Sequence, residues 1–259
     1  MKQPSTIAIQ GKPKEPVSVC FMTVCGGGED YDFLLGSIEH HAKMGKHVVL
    51  DTTPEGRAKK FKGLPSSVTW VHEPIYGSGW KEFKFRAALT RALEMAKEQK
   101  TDIIVELDCD EYFSEDSPQG LFPHAANSVV SMETVHWTKD MKPMSFGKGE
   151  YHTRLWPACL DVTWPVNEGW VKSPHYNGNP DHHAVMSAPP GTPHVSIPGH
   201  YHYHLHYFVG QKAGDDETAR QTIHGWPNGQ PARMTQLPVP IWLWKFQGSR
   251  PTEFEKFKL

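Results

Sequence analysis

Four carboxylates crowd into six consecutive positions of this chain: Glu106, Asp108, Asp110 and Glu111, in the stretch ELDCDEYF. They follow Ile103, Ile104 and Val105 with no turn residue between, and that greasy run suits a buried strand. Acids this close repel one another, so the fold must supply solvent, arginines or a metal ion to make the crowding tolerable. An Asp-x-Asp at a strand end sends both carboxylates to one side and the middle residue, here the small Cys109, to the other. Hard divalent cations take oxygen ligands and neutralise such pairs, so the spacing does what a metal site needs. As a bare pattern Asp-x-Asp is weak, because in surface loops it is ordinarily solvated acid. Its place behind an apolar strand turns the reading toward a metal.

A second stretch, GHYHYHLHYF from Gly199 to Phe208, alternates His200, His202, His204 and His206 with Tyr201, Tyr203, Leu205 and Tyr207. On a strand the four imidazoles share one face. The plain account is a half-exposed strand whose polar face is histidine. Neighbouring imidazoles, however, need partners or a metal. The rise of ~6.5–7 Å per two residues keeps all four from meeting one ion. One of them, supported by a neighbour, can complete a site begun by the aspartates.

The elements that must position these groups alternate in type. Val17 to Val24 is a continuous apolar run, a strand buried on both faces, and it ends at Gly26, Gly27 and Gly28. Asp30 is placed to cap a helix in which Leu34, Leu35, Ile38 and Ala42 share a face, with Gly45 just past its end. His47 to Leu50 and Val68 to His72 follow as strands, Phe83 to Lys97 as a helix, and Ile103 to Leu107 as the strand that carries the acids. This order predicts an α/β fold, a Rossmann-type sheet wrapped by helices on both faces. Ligands in such sheets sit beyond the carboxyl ends of the strands, which puts the glycines, Asp51 and the acids on one rim. From about residue 127 the texture changes. Val129 to Trp137, Tyr151 to Trp156, Val195 to Ile197 and His200 to Val209 read as strands, and Gln211 to Gln221 as a helix. This second half is expected to extend the same sheet in antiparallel fashion. With no linker in view, residues 1–259 are expected to form one domain behind a loose leader at 1–15.

Composition narrows the function classes. The 259 residues carry a formal net charge of −2, which excludes the strongly basic surface of a nucleic-acid binder recognised by charge alone. Arg57, Lys59, Lys60 and Lys62 form a local basic cluster that reads as a solvated face. None of Cys20, Cys25, Cys109 and Cys159 is in Cys-x-x-Cys spacing, so reduced thiols and a cytoplasmic location are expected. The first residues lack the apolar core of a signal peptide. No run approaches the ~20 apolar residues that span a bilayer, so no membrane partner is expected.

The acid strand and its setting resemble glycosyltransferases of the GT-A fold, in the broad family-two-like group, with a DxDE-F/Y variant of the acid motif. DYDFLLGSIEHHAKMGKHVVLDTT is similar to that family's first helix and second strand, and FKFRAALTRALEMAK to the helix before the acid strand. IIVELDCDEYF is similar to the acid strand itself, and HLHYF to the later histidine that supplies another ligand. The likeness covers residues 17–113 and, more loosely, 150–210. It implies transfer of a sugar from a nucleotide-sugar donor, UDP-linked and with inversion, to an acceptor hydroxyl. Mn²⁺ or Mg²⁺ would bridge the two phosphates. Residues 17–113 would form the donor half and 127–259 the acceptor side. Asp51 would contact the nucleobase, Asp108 the ribose and metal, and Arg86 the donor. Asp110 would be a direct ligand, joined by His206 or, second, His204. Glu168 in WPVNEGW and Asp181 in GNPDHH are the candidate bases for the acceptor hydroxyl. Trp80, Trp164 and Trp170 are candidates for stacking on sugar or base. One departure stands out: the family's Asn-Glu pair after the first strand is GGGED here. The acceptor is open, a glycan, protein, metabolite or modified DNA base. A nucleotidyltransferase on a similar sheet would carry G-x-G-T-R after the first strand, which TVCGGGED lacks. A non-catalytic metal- or carbohydrate-binding protein would leave the acids unexplained.

Overall fold

The structure, a computed structural model, describes residues 17–26, 31–56, 63–78, 82–137, 143–146, 150–172, 179–205 and 232–234. Strand β1 (Val19–Cys25) is buried along its whole length, as a strand with helices on both sides must be. On one face Cys20, Met22 and Val24 meet Ala88, Leu89, Ala92 and Ala96 of helix α2 (Phe85–Glu98). On the other, Cys25 packs with Leu34 and Ile38 of helix α1 (Tyr31–His41). Further along that face Val19 and Phe21 join Phe113 and Phe122. Helices therefore cover both faces, as expected. Asp30 lies outside the described residues. Gly45 has a reason other than helix termination: a Cβ there would press into the side chain and carbonyl oxygen of Val19.

Strands β2 (Lys46–Asp51) and β4 (Ile103–Glu106) flank β1, both parallel to it, and β3 (Val68–His72) pairs β2 in parallel. The chain thus leaves β1 to one side for two strands and returns to its other side for the third. That reversal is the topological switch point of an open α/β sheet, and the crevice there lies past Cys25 and Glu106.

Beyond β4 the order continues through β8 (Glu150–Pro157), β6 (Val129–Trp137), β9 (His194–His204) and β5 (Glu111–Phe113). The short strands β7 (Pro143–Phe146) and β10 (Ala232–Met234) extend one end. The second half is only partly antiparallel. Strand β8 opposes both β4 and β6, whereas β9 runs parallel to β6. The excursion through α3 (Ser117–Gly120) and α4 (Phe122–Ala125) carries the chain back before β6 starts, so β6 runs with β4.

Val195 to Ile197 and His200 to His204 belong to one strand rather than two. Its register on β6 jumps from Ser131↔Ser196 to Glu133↔Tyr201, a bulge containing Pro198 and Gly199. Gly199 has φ +82°, which a side chain would strain. The helix expected over 211–221 and the tail of the histidine run lie outside the described residues. None of the four cysteines is in a disulfide. Among the described residues no helix is long and apolar enough to cross a membrane.

Candidate active site

Arginine answers the crowding first. Arg154, on β8, donates to Glu106 Oε1 at 2.9 Å, Asp108 Oδ2 at 2.8 Å and Glu111 Oε1 at 2.7 Å. Antiparallel pairing of β8 on β4 puts this guanidinium beside the strand end where the acids emerge. Burial would lower the Arg154 pKa, but the three carboxylates raise it, so the cation is secure. Burial pushes Glu106 up to about 7, although Arg154 and the Trp164 indole hold it down. Glu111 is also penalised by burial, yet Arg154 and His202 keep it well below the usual carboxylate range.

Helix α1 fixes the acid segment from below. Ser37 Oγ donates to Glu111 O at 2.9 Å, and Tyr112 Oη donates to Phe33 O at 2.8 Å. The Phe113 amide donates to His41 Nε2 at 3.1 Å, while His41 Nδ1 faces Ser37 O at 2.7 Å. That pattern suits a neutral imidazole, in keeping with the low pKa that burial and the neighbouring His40 impose on His41. Asp108 N donates to Glu111 Oε2 at 2.7 Å and closes the turn. Cys109 points away, buried with Cys25 and Ile38, as its small size predicts.

The histidine run meets the acids in a ladder. On β9 His200 Nδ1 lies 3.6 Å from Asp116, His202 Nε2 3.1 Å from Glu111, and His204 Nε2 3.4 Å from Asp110. Alternate residues share a face, so each imidazole finds a different carboxylate. Burial would lower His204, but Asp110 lifts it to about 9, with Glu111 and Asp108 behind it. His202, fully buried, is pushed down to about 4 by desolvation despite Glu111. A cation arriving at Asp110 therefore competes with the His204 proton. His206 lies outside the described residues.

Among the described residues Arg154 and His204 bring positive charge to the four carboxylates. Asp108 keeps a side chain 43% exposed and Asp110 one 19% exposed. Paired acid oxygens at a strand end fit a hard divalent cation.

The other predicted residues divide into two groups. Arg86, at the start of α2, donates from Nε to Trp164 O at 2.6 Å, and its Nη1 lies 4.0 Å from Asp181. Trp164 in turn donates from Nε1 to Glu106 Oε2 at 3.0 Å. A chain of contacts thus joins Asp181 to the acids through Arg86, Trp164 and Glu106. The same rim holds Gly26, where a Cβ would collide with the Phe83 ring, and Asn179, which donates to Phe83 O at 3.0 Å. Trp164 is buried, so its ring packs in the core and its indole N–H serves the acid cluster. Apart from these stand two residues. Asp51 ends β2 fully buried, with Oδ1 accepting from the Thr53 amide and hydroxyl and Oδ2 from Trp70 Nε1. Glu168 has a side chain 83% exposed and pairs with Lys172 at 3.4 Å. Trp80 lies outside the described residues, as does the Trp170 side chain.

Sequence reasoning missed Arg154 and His152. Neither sits in a motif, and both are interior positions of a strand whose pairing could not be read. The only available signal was alternation: in EYHTRLWP, His152 and Arg154 share a face.

No family model matches the chain, and no curated protein matches it. Among solved structures it is similar to the crystal structure of 4-diphosphocytidyl-2C-methyl-D-erythritol synthase, with TM-score 0.36 and 13% identity. That similarity covers 55% of this chain and 75% of the other.

Proposed function

We propose that this chain is a metal-dependent transferase acting on a nucleotide-sugar donor, with the donor diphosphate held at the end of β4. The observation that carries the reading is the position of Asp108 and Asp110. They stand at the end of β4 beside the switch point of the sheet, with side chains 43% and 19% exposed. The family resemblance of the acid strand supports a sugar donor rather than another nucleotide.

Asp108 and Asp110 would hold Mn²⁺ or Mg²⁺ through oxygen, with His204 or His206 beside them. The ion would supply Lewis-acid stabilisation of the leaving diphosphate. Arg154 holds Asp108 in place and, with His202, keeps Glu111 ionised. Arg86, 46% exposed at the helix start, would present a cation to the donor. Asp181 is the better placed base for the acceptor hydroxyl, since it adjoins Arg86 on the rim. Glu168 is the second candidate. Asp51 would set donor choice from the neighbouring strand end.

The test is thermal stabilisation by a panel of nucleoside diphosphates and nucleotide sugars, with and without Mn²⁺. One nucleotide class should raise the melting temperature only with the metal, and Asp110→Asn should cancel the rise. Stabilisation by no nucleotide, or by all equally without metal, overturns the reading. Donor hydrolysis with and without acceptors then separates sugar transfer from nucleotidyl transfer.

A further inference from the structure

We propose a second cation site, separate from the crevice, in which Glu111, His152 and His202 bind a borderline first-row dication of the Zn²⁺ class. The inference stands independently of the transferase reading. It rests on convergence: three side chains from three strands, β5, β8 and β9, bring one ligand atom each within 4.8 Å of one another. Spaced no wider than that, the three atoms share a point within ~2.8 Å of each. Adjustments of roughly half an ångström then reach the ~2.0–2.2 Å of a zinc–nitrogen or zinc–oxygen bond.

The closest pair is already at ligand spacing. His202 Nε2 lies 3.1 Å from Glu111 Oε2, yet it makes no well-directed hydrogen bond. Two atoms bound to one zinc ion lie ~3.0–3.5 Å apart, both aimed at the metal rather than at each other. The surroundings orient the set as they do in metal sites. Thr134 Oγ1, on β6, lies 3.3 Å from His202 Nδ1, which leaves Nε2 to face the cluster. Arg154 occupies Glu111 Oε1 at 2.7 Å, and Asp108 N takes one direction of Oε2 at 2.7 Å. One lone pair of Oε2 is left on the side of the imidazoles.

The donor set decides the ion. Two imidazoles and one carboxylate favour Zn²⁺ and its neighbours over Mg²⁺ or Ca²⁺, which take oxygen. Glu111 and His202 are fully buried, so this is an interior site, whereas Asp108 and Asp110 are partly exposed. Because β6 runs between β8 and β9, the ion would staple the acid strand to the sheet across it and hold Glu111 where Arg154 meets it.

The experiment uses the full chain, stripped with chelator and titrated with Zn²⁺ by calorimetry, then loaded with Cu²⁺ for electron paramagnetic resonance. One equivalent of Zn²⁺ should bind and raise the melting temperature, and the Cu²⁺ spectrum should show nitrogen hyperfine structure from two imidazoles. His152→Ala, at a half-buried position, should weaken Zn²⁺ at least 100-fold, while Asp110→Asn keeps it. The Cu²⁺ spectrum of the unmodified chain decides the matter even if variants fail to fold. An oxygen-only spectrum, no Zn²⁺ binding, or binding lost with Asp110→Asn and kept with His152→Ala overturns the proposal.

Discussion

Replacing Arg154 by methionine keeps most of the side-chain volume and removes the cation that three carboxylates share. Its consequences follow from burial. Glu106 and Glu111 have side chains 8% and 0% exposed, so water cannot take over from the guanidinium. Asp108, 43% exposed, is screened and adds little. Stranding buried carboxylates in this way costs about 3–5 kcal/mol. For a chain of this size that corresponds to a fall in melting temperature of roughly 6–20 °C. The pH dependence identifies the cause. Without Arg154 the two glutamates have folded pKa values above their unfolded ones, so the penalty is full at high pH and relieved as acid protonates them. In the natural protein Glu111 is depressed, so its contribution is present at neutral pH and lost on acidification. Both signs agree. The gap between Arg154→Met and the natural chain, measured by urea unfolding, should be widest near pH 8 and narrow toward pH 5. A gap below about 1 kcal/mol, or one that ignores pH, would refute the idea that Arg154 is the counter-ion of the cluster.

Asp110→Asn should leave unfolding within about 1 kcal/mol of the natural chain and abolish metal-dependent donor turnover. Full activity in a chelator would contradict that. Asp51→Ala should raise the donor Michaelis constant more than it lowers turnover, and it should also cost about 1–3 kcal/mol, because Thr53 and Trp70 lose their buried acceptor. A loss confined to turnover argues against a binding role. His47 is buried on Thr23 Oγ1 at 2.9 Å, and desolvation pushes its pKa down to about 3. The unfolded chain therefore binds the extra proton below about pH 6.5, and stability falls as pH drops through that window. At pH 5 the loss should be about 2 kcal/mol relative to pH 8, and His47→Gln should remove that increment from the unfolding curve. An unchanged pH slope in the variant would mean the imidazole is not held neutral.

The parallel half of the sheet was legible because its signals are local. Strands β1 to β4 are apolar runs between polar breaks, and α2 repeats its alanines and leucines on one face, so boundaries fall within a residue or two. Topology then placed the acids at the rim without any knowledge of side-chain contacts. The second half was harder. Alternation in β6, β8 and β9 announces strands but says nothing about neighbours, so β9's parallel pairing on β6 was missed. Pro198 and Gly199 look like a break between two strands and prove to be a bulge within one, because sheet pairing on either side carries the chain through.

The site repeats that division. Carboxylates spaced along one strand can be seen in a sequence, but the partner that relieves them arrives from 43 or more residues away through register alone. An arginine among strand residues looks like any solvated charge until β8 is laid against β4. The choice between arginine and metal was also a false one. Arg154 takes one oxygen of each of three acids, and a planar guanidinium with five donors can do so without filling the crevice. Asp110 faces His204, a group that can surrender its proton, whereas Arg154 cannot. The fixed cation therefore builds the cluster, and under the proposed function the exchangeable proton marks Asp110 as the carboxylate at which a metal ion would enter.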